Sequence, residues 1–324
     1  VIKTVPPISH FNIQQNRQEL IIMAKLTRAA QQSEQSDDLK NQRVGTWVKN
    51  QAIDALDNNK PDTPDWRGSK RVDIFQGSDK DDTVFAGKGD DILITGGGAD
   101  LVFAGAGNDF ILAEAGNDVV FGELGDDSIF GQAGNDVLLG GVGLDTINGG
   151  LGDDILVGGE GADALTGGLG KDRFVYNADS FRGAVFAPAA NLINVSNLPP
   201  DAITDFSIAD DQFTLIGSDL GLANAAFQKG NSAQIAGNGN IIVLTDPFAN
   251  AAAAAKAIQN NNSIQADEGV FVYFNVNLGF SRLVHSQDLG DGGGISVLAN
   301  LTNQTGQNGI TALNTFSANN FAVV

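Results

Sequence analysis

The sequence contains no cysteine, only two histidines and only eight prolines among its 324 residues, and each scarcity removes a class of explanation. Without cysteine there is no disulfide framework, no thiolate nucleophile and no zinc-thiolate centre. An extracellular chain of this kind needs other staples, and metal ions are the obvious candidate. His10 and His285 form no H-E-x-x-H, and no G-x-S-x-G occurs, so neither a zinc-protease helix nor a lipase elbow is present. The adjacent acids Asp126/Asp127, Asp153/Asp154 and Asp210/Asp211 make poor acid/base pairs, because neighbours on a strand face opposite ways. No catalytic constellation emerges. Basic residues are also few, with 19 Lys plus Arg against 39 Asp plus Glu and a net charge of −20, so the surface repels nucleic acid and anionic lipid. No run approaches the roughly 20 apolar residues of a membrane span. The opening VIKTVPPISHFN has neither a basic n-region nor an apolar h-region, so no cleavable signal is expected.

Glycine, by contrast, is abundant, with 41 residues. Residues 77–175 divide into eleven uninterrupted nonapeptides. Their sixth position is always Asp: Asp82, Asp91, Asp100, Asp109, Asp118, Asp127, Asp136, Asp145, Asp154, Asp163 and Asp172. The fourth is Gly except at Lys80, and the eighth is always apolar, from Val84 and Leu93 through to Phe174. A unit of the form G-G-x-G-x-D makes a tight turn in which glycine tolerates unusual backbone angles and carbonyls can point inward. The remaining three residues suffice for a short strand whose eighth position faces one way and whose seventh and ninth face the other. Two nonapeptides then make one flattened coil of 18 residues.

Such a coil buries one aliphatic side chain per strand, against an ordering cost of about 1–2 kcal/mol for every residue. Stacking at about 4.8 Å per coil sets Asp82, Asp100 and Asp118 in one column and Asp91 and Asp109 in another. Carboxylates that close repel unless a hard cation lies between them. Calcium suits, since it accepts six to eight oxygens from carboxylates and carbonyls in flexible geometry, whereas magnesium demands near-ideal octahedra. The block has no His or Cys for zinc. It carries 16 Asp and 3 Glu against 3 Lys and 1 Arg, which accounts for most of the chain's charge.

The eleven units resemble the haemolysin-type RTX calcium-binding nonapeptide G-G-x-G-x-D-x-U-x. That resemblance implies an all-β-dominated fold with a right-handed parallel β-roll, in which each calcium ion is shared between turns two nonapeptides apart. All eleven aspartates would be metal ligands, in about nine shared pairs. The first unit, GSDKDDTVF, lacks Gly at positions 2 and 4, which leaves Asp82 the weakest site, while Glu114, Glu123 and Gln132 at position 2 imply altered sites in mid-roll.

Four regions are expected: an extended or upstream-translated arm (1–22), a short helical region and linker (23–76), the roll (77–175), and a β-rich capping, secretion or assembly domain (176–324). Segments 201–219, 240–246, 268–277 and 280–286 read as strands and NAAAAAKAIQ (250–259) as a helix. The C-terminal half resembles short RTX proteins of cyanobacteria and related bacteria through DAITDFSIADDQFTL and LVHSQDLGDGGGISVLANLTN. That resemblance implies type I secretion by an uncleaved signal. On one strand column the outward positions stay apolar, with Phe85, Phe103, Phe121 and Leu139 forming a stripe that either the C-terminal segment or a second molecule must cover. The resulting expectation is a secreted, non-enzymatic, calcium-binding protein that self-associates at the cell surface as an S-layer, sheath or filament subunit. An adhesin for a cell-surface glycan stands second, and a hydrolase or toxin fragment third.

Overall fold

In the computed structural model, residues 66–177, 187–188, 200–218, 220–222, 225–235, 239–261, 268–289 and 294–324 are described. The N-terminal arm, His10 and the helices expected before the roll lie outside those residues.

Each nonapeptide supplies one short strand, and alternate strands fall into two parallel sheets. Thr83–Lys88, Leu101–Ala106, Val119–Leu124, Val137–Val142, Ile155–Glu160 and Arg173–Tyr176 stack in one sheet. Ile92–Gly96, Phe110–Leu112, Ser128–Ala133, Thr146–Leu151 and Ala164–Leu169 stack in the other. Register follows the 18-residue coil, with Val84 beside Val102 and Ile111 beside Ile129. The eighth-position residues from Val84 to Phe174 are all buried between the sheets. This is a parallel β-roll, and the turns that join its strands are bent by glycine at the fourth position, as at Gly125 with φ +127°.

The stack is longer than the eleven units. One more nonapeptide, GSKRVDIFQ at 68–76, precedes Gly77: its strand Ile74–Ser78 pairs with Ile92–Gly96, and Phe75 takes the eighth position in the core. Trp66 packs over that end, its ring 5.0 Å from Phe75. At the far end Asp201–Ile203 lies parallel to Ala164–Leu169, and Gln212–Leu215 lies parallel to Arg173–Tyr176. The single strand expected across 201–219 is therefore two strands of the roll with a turn between them.

The remaining chain builds outward from these strands. Gly294–Thr305 pairs with Asp201–Ile203 and Phe321–Val323 with Gln212–Leu215, so both sheets continue past the last coil. Phe280–Ser286 and Gly269–Asn275 then pair antiparallel, followed by Ile241–Leu244 and Phe227–Gly230 in parallel. The expected helix forms at Ala251–Gln259, capped by the Asn250 side chain, which accepts from the Ala253 amide at 2.8 Å. Its Ala254, Ala255 and Ile258 are buried against the sheet. His285 is a buried strand residue 3.2 Å from the Leu220 carbonyl oxygen, and burial lowers its pKa, which favours the neutral ring.

On the outer face, the rings of Phe85, Phe103 and Phe121 stack at 5.1 and 4.9 Å with planes 3° apart. Further along the same column Val119, Val137, Leu139, Ile155, Val157 and Val175 join Ile216 in a buried cluster. The stripe therefore divides into a half-buried aromatic end and a covered aliphatic end.

Candidate metal centre

The eleven sixth-position aspartates fall into two columns, as the period requires, and the structure adds Asp73, Asp201 and Asp211 to them. In each column the Oδ1 of one Asp accepts the backbone N–H of the Asp one coil earlier. The first column runs 73, 91, 109, 127, 145, 163 and 201, at 2.7–3.1 Å. The second runs 82, 100, 118, 136, 154, 172 and 211, at 2.7–3.0 Å. One carboxylate oxygen is thus spent on holding adjacent coils together. In most of them the other is left for a different task.

In ten aspartates, Asp91 through Asp172, that second oxygen is buried and has no hydrogen-bond partner. A buried unpaired carboxylate oxygen is expensive, and a native fold seldom leaves one without a purpose. Burial is the main force raising the pKa of all ten, opposed by the amide hydrogen bond and, at Asp100, first by the neighbouring Thr95 hydroxyl. Asp127 is pushed up to about 9 and Asp109, Asp118, Asp145 and Asp154 to about 8. Asp91 rises to about 7, and Asp100, Asp136, Asp163 and Asp172 to about 6. Around Asp127 the neighbouring charges that add to burial are the carboxylates of Asp109, Asp145 and Asp126. This is a row of sites short of positive charge.

A cation fits that shortage. From Gly122 to Gly167 the first position is glycine, and a Cβ there would lie 2.2–2.4 Å from the unpaired Oδ2 of the same unit. Glycine keeps that ground clear. Among the described residues no three acidic, His or Cys side chains converge on one point. An ion bound here must therefore take most of its oxygens from backbone carbonyls, which favours calcium over zinc. The residues that would hold it are the ten aspartates with unpaired oxygens, and the turn carbonyls beside them.

Three features were missed in the sequence. Asp201 and Asp211 sit after an interruption that hides the nine-residue phase, although Asp211-Gln212-Phe213 repeats the x-D-x-U pattern. The unit at 68–76 keeps Gly, Asp and an apolar residue at positions 1, 6 and 8, and that signal was available. The third is a ladder at position 5. There Asp90 accepts the Asn108 amide, Asn108 the Asp126 amide, and Asn117 the Asn135 amide, each at 2.9 Å. This ladder runs opposite in sense to the sixth-position one. It also explains the adjacent acid pairs, since Asp126 is exposed while Asp127 is buried.

Residues 67–174 match the RTX calcium-binding nonapeptide repeat family in overlapping windows at 67–102, 94–129, 103–138, 112–147 and 139–174. That block consists of RTX repeats, which bind calcium as a class. No curated protein matches the chain. Among solved structures it is similar to the AlgE6R2 subunit of the Azotobacter vinelandii mannuronan C5-epimerase, at 21% identity over 61% of this chain and 88% of that one, with a TM-score of 0.31. The AlgE6R3 subunit of the same enzyme is similar at 18% identity over 79% of this chain and 80% of that one, with a TM-score of 0.21.

Proposed function

We propose that this chain is an extracellular structural protein whose roll folds around calcium and whose outer face joins it to further copies at a cell surface. The observation that carries the calcium half is the set of ten buried carboxylate oxygens without a partner. Bound calcium supplies the positive charge that these columns lack. The protein's own part is to fix two ladders of side-chain hydrogen bonds and, in the six turns from Asp127 to Asp172, to keep the space beside Oδ2 open with glycine. A chain with −20 net charge, no cysteine and a fold that waits for calcium suits passage out of the cell unfolded, followed by folding where calcium is plentiful. Among the described residues no helix is long and apolar enough to cross a membrane.

The assembly half rests on the aromatic end of the stripe. Three parallel phenylalanine rings, each partly exposed, make an apolar strip on an otherwise acidic molecule. Leu139 lies in the covered part, so self-association would use Phe85, Phe103 and Phe121. The reading assigns no catalytic role to any residue.

Circular dichroism and electron microscopy of the purified chain, with and without millimolar calcium, test both halves. Near pH 9, where the metal-free carboxylates are ionised, the expected result is a β-rich spectrum and ordered assemblies only with calcium. A spectrum indifferent to metal removal would overturn the calcium half. A calcium-folded chain that stays monomeric at high concentration would overturn the assembly half.

A further inference from the structure

Not every turn of the roll has an unpaired oxygen. In the turns that carry Asp73, Asp82 and Asp211 the second carboxylate oxygen accepts a backbone amide from the second position of its own turn. The donors are Ser69, Ser78 and Ser207, at 2.6, 3.0 and 2.7 Å. None of these serines has a positive φ. In the ten turns from Asp91 to Asp172 the second position does have a positive φ, even where it is Glu or Gln, and no amide reaches the oxygen. The fourth position divides the same way. It is a positive-φ glycine in all ten and Arg71, Lys80 or Ala209 in the three serine turns.

Backbone conformation thus decides what each carboxylate does. Where positions 2 and 4 are left-handed, the turn's amides point away and the oxygen stays open. Where they are not, the position 2 amide swings onto the carboxylate and satisfies it without metal. We propose that the serine turns are calcium-free caps, and that calcium is confined to the ten turns between them. Two caps stand at the N-terminal end of the stack and one at the C-terminal end, where a coil has a stacked neighbour of the repeat type on one side only. An ion site there would lack half its surroundings, and a hydrogen bond within the turn needs no neighbour. This inference rests on calcium being the roll's ion.

The test counts calcium bound per chain by equilibrium dialysis, with circular dichroism as a check on folding. Asp82→Asn and Asp211→Asn are expected to bind as much calcium as the unaltered chain, whereas Asp127→Asn should lose at least one ion. The paired change Ser78→Gly with Lys80→Gly restores the repeat backbone to the turn of Asp82 and should add one ion. The proposal is overturned if Asp82→Asn and Asp211→Asn lose calcium as Asp127→Asn does, or if the paired variant folds and gains none. An unaltered chain that binds no calcium fails the underlying reading instead, and removes the proposal with it.

Discussion

A single aspartate in this roll performs two functions with two oxygens, and the division shows in its protonation. One oxygen of Asp127 accepts the Asp109 amide at 2.7 Å through the column, and the other is buried without a partner. In metal-free protein the raised pKa values mean that the folded roll holds protons the unfolded chain would release. The sign follows directly: the stabilisation is complete below about pH 4, declines as pH rises through the folded values of about 6 to 9, and is absent above them. Metal-free protein should therefore be most β-rich in mild acid and lose structure by about pH 9, measured by circular dichroism across that range. Calcium added near pH 9 should restore the spectrum, and calcium added near pH 6, where the folded metal-free roll still holds its protons, should release them, detectable by pH-stat. Structure that instead grows with pH in metal-free protein contradicts the assignment.

The turn residues make a second test at the same scale. Glu123 adopts φ +76° where most units have glycine. A left-handed non-glycine residue costs about 1–2 kcal/mol, partly offset by the greater chain entropy that glycine loses on folding. Glu123→Gly should raise stability by about 1 kcal/mol at most. Gly125→Ala should do the reverse, because its Cβ would meet the Gly107 carbonyl oxygen at 1.9 Å. A loss well above about 1 kcal/mol is expected, and calcium melts of the two variants check the contrast.

At the scale of elements, strands are identical in plan but differ in what their outer faces meet. Phe103 is sandwiched between Phe85 and Phe121, and the Arg67 guanidinium lies 4.3 Å over the Phe85 ring. If this strip joins one molecule to another, Phe103→Asp should leave a calcium-folded protein that no longer assembles. If the strip is covered within the chain, the same change should lower the melting temperature of the monomer, since a charge at a buried apolar contact costs several kcal/mol. Light scattering and melting on that one variant separate the two outcomes. A variant unchanged in both would show the strip to be open surface.

At the scale of the molecule, an open stack needs an end. The last coil is closed by an aromatic plug in which Phe206 stacks on Phe213 at 4.4 Å and on Phe316 at 5.9 Å, with Phe174 and Phe321 alongside. These rings come from 174 to 321 in the sequence, so the plug ties the roll to the end of the described chain. Repeat stacks gain stability from each neighbour in turn, and an unplugged edge propagates its loss inward. Phe206→Ala should cost about 3–5 kcal/mol and raise the calcium concentration needed to fold the whole roll. Calcium titrations followed by circular dichroism would show this as a rightward shift. An unshifted midpoint would mean that the roll folds independently of its plug.

The nine-residue phase alone determined the two sheets, the inward eighth position and the alternating columns of acids, because a period that short leaves one way to stack. The composition of those columns also pointed to a hard, oxygen-loving cation. What the sequence could not order was anything held by non-local contacts. Asp201 and Asp211 join the columns across gaps of 38 and 39 residues, where no period survives to announce them. The tail at 309–324 supplies both a helix end and the strand Phe321–Val323, because the sheet edge left by Gln212–Leu215 offers it unpaired backbone groups. Which carboxylate oxygens stay open was likewise decided by backbone conformation at positions 2 and 4. Glu123 and Ser78 differ there in φ rather than in any property that a residue-by-residue reading would rank.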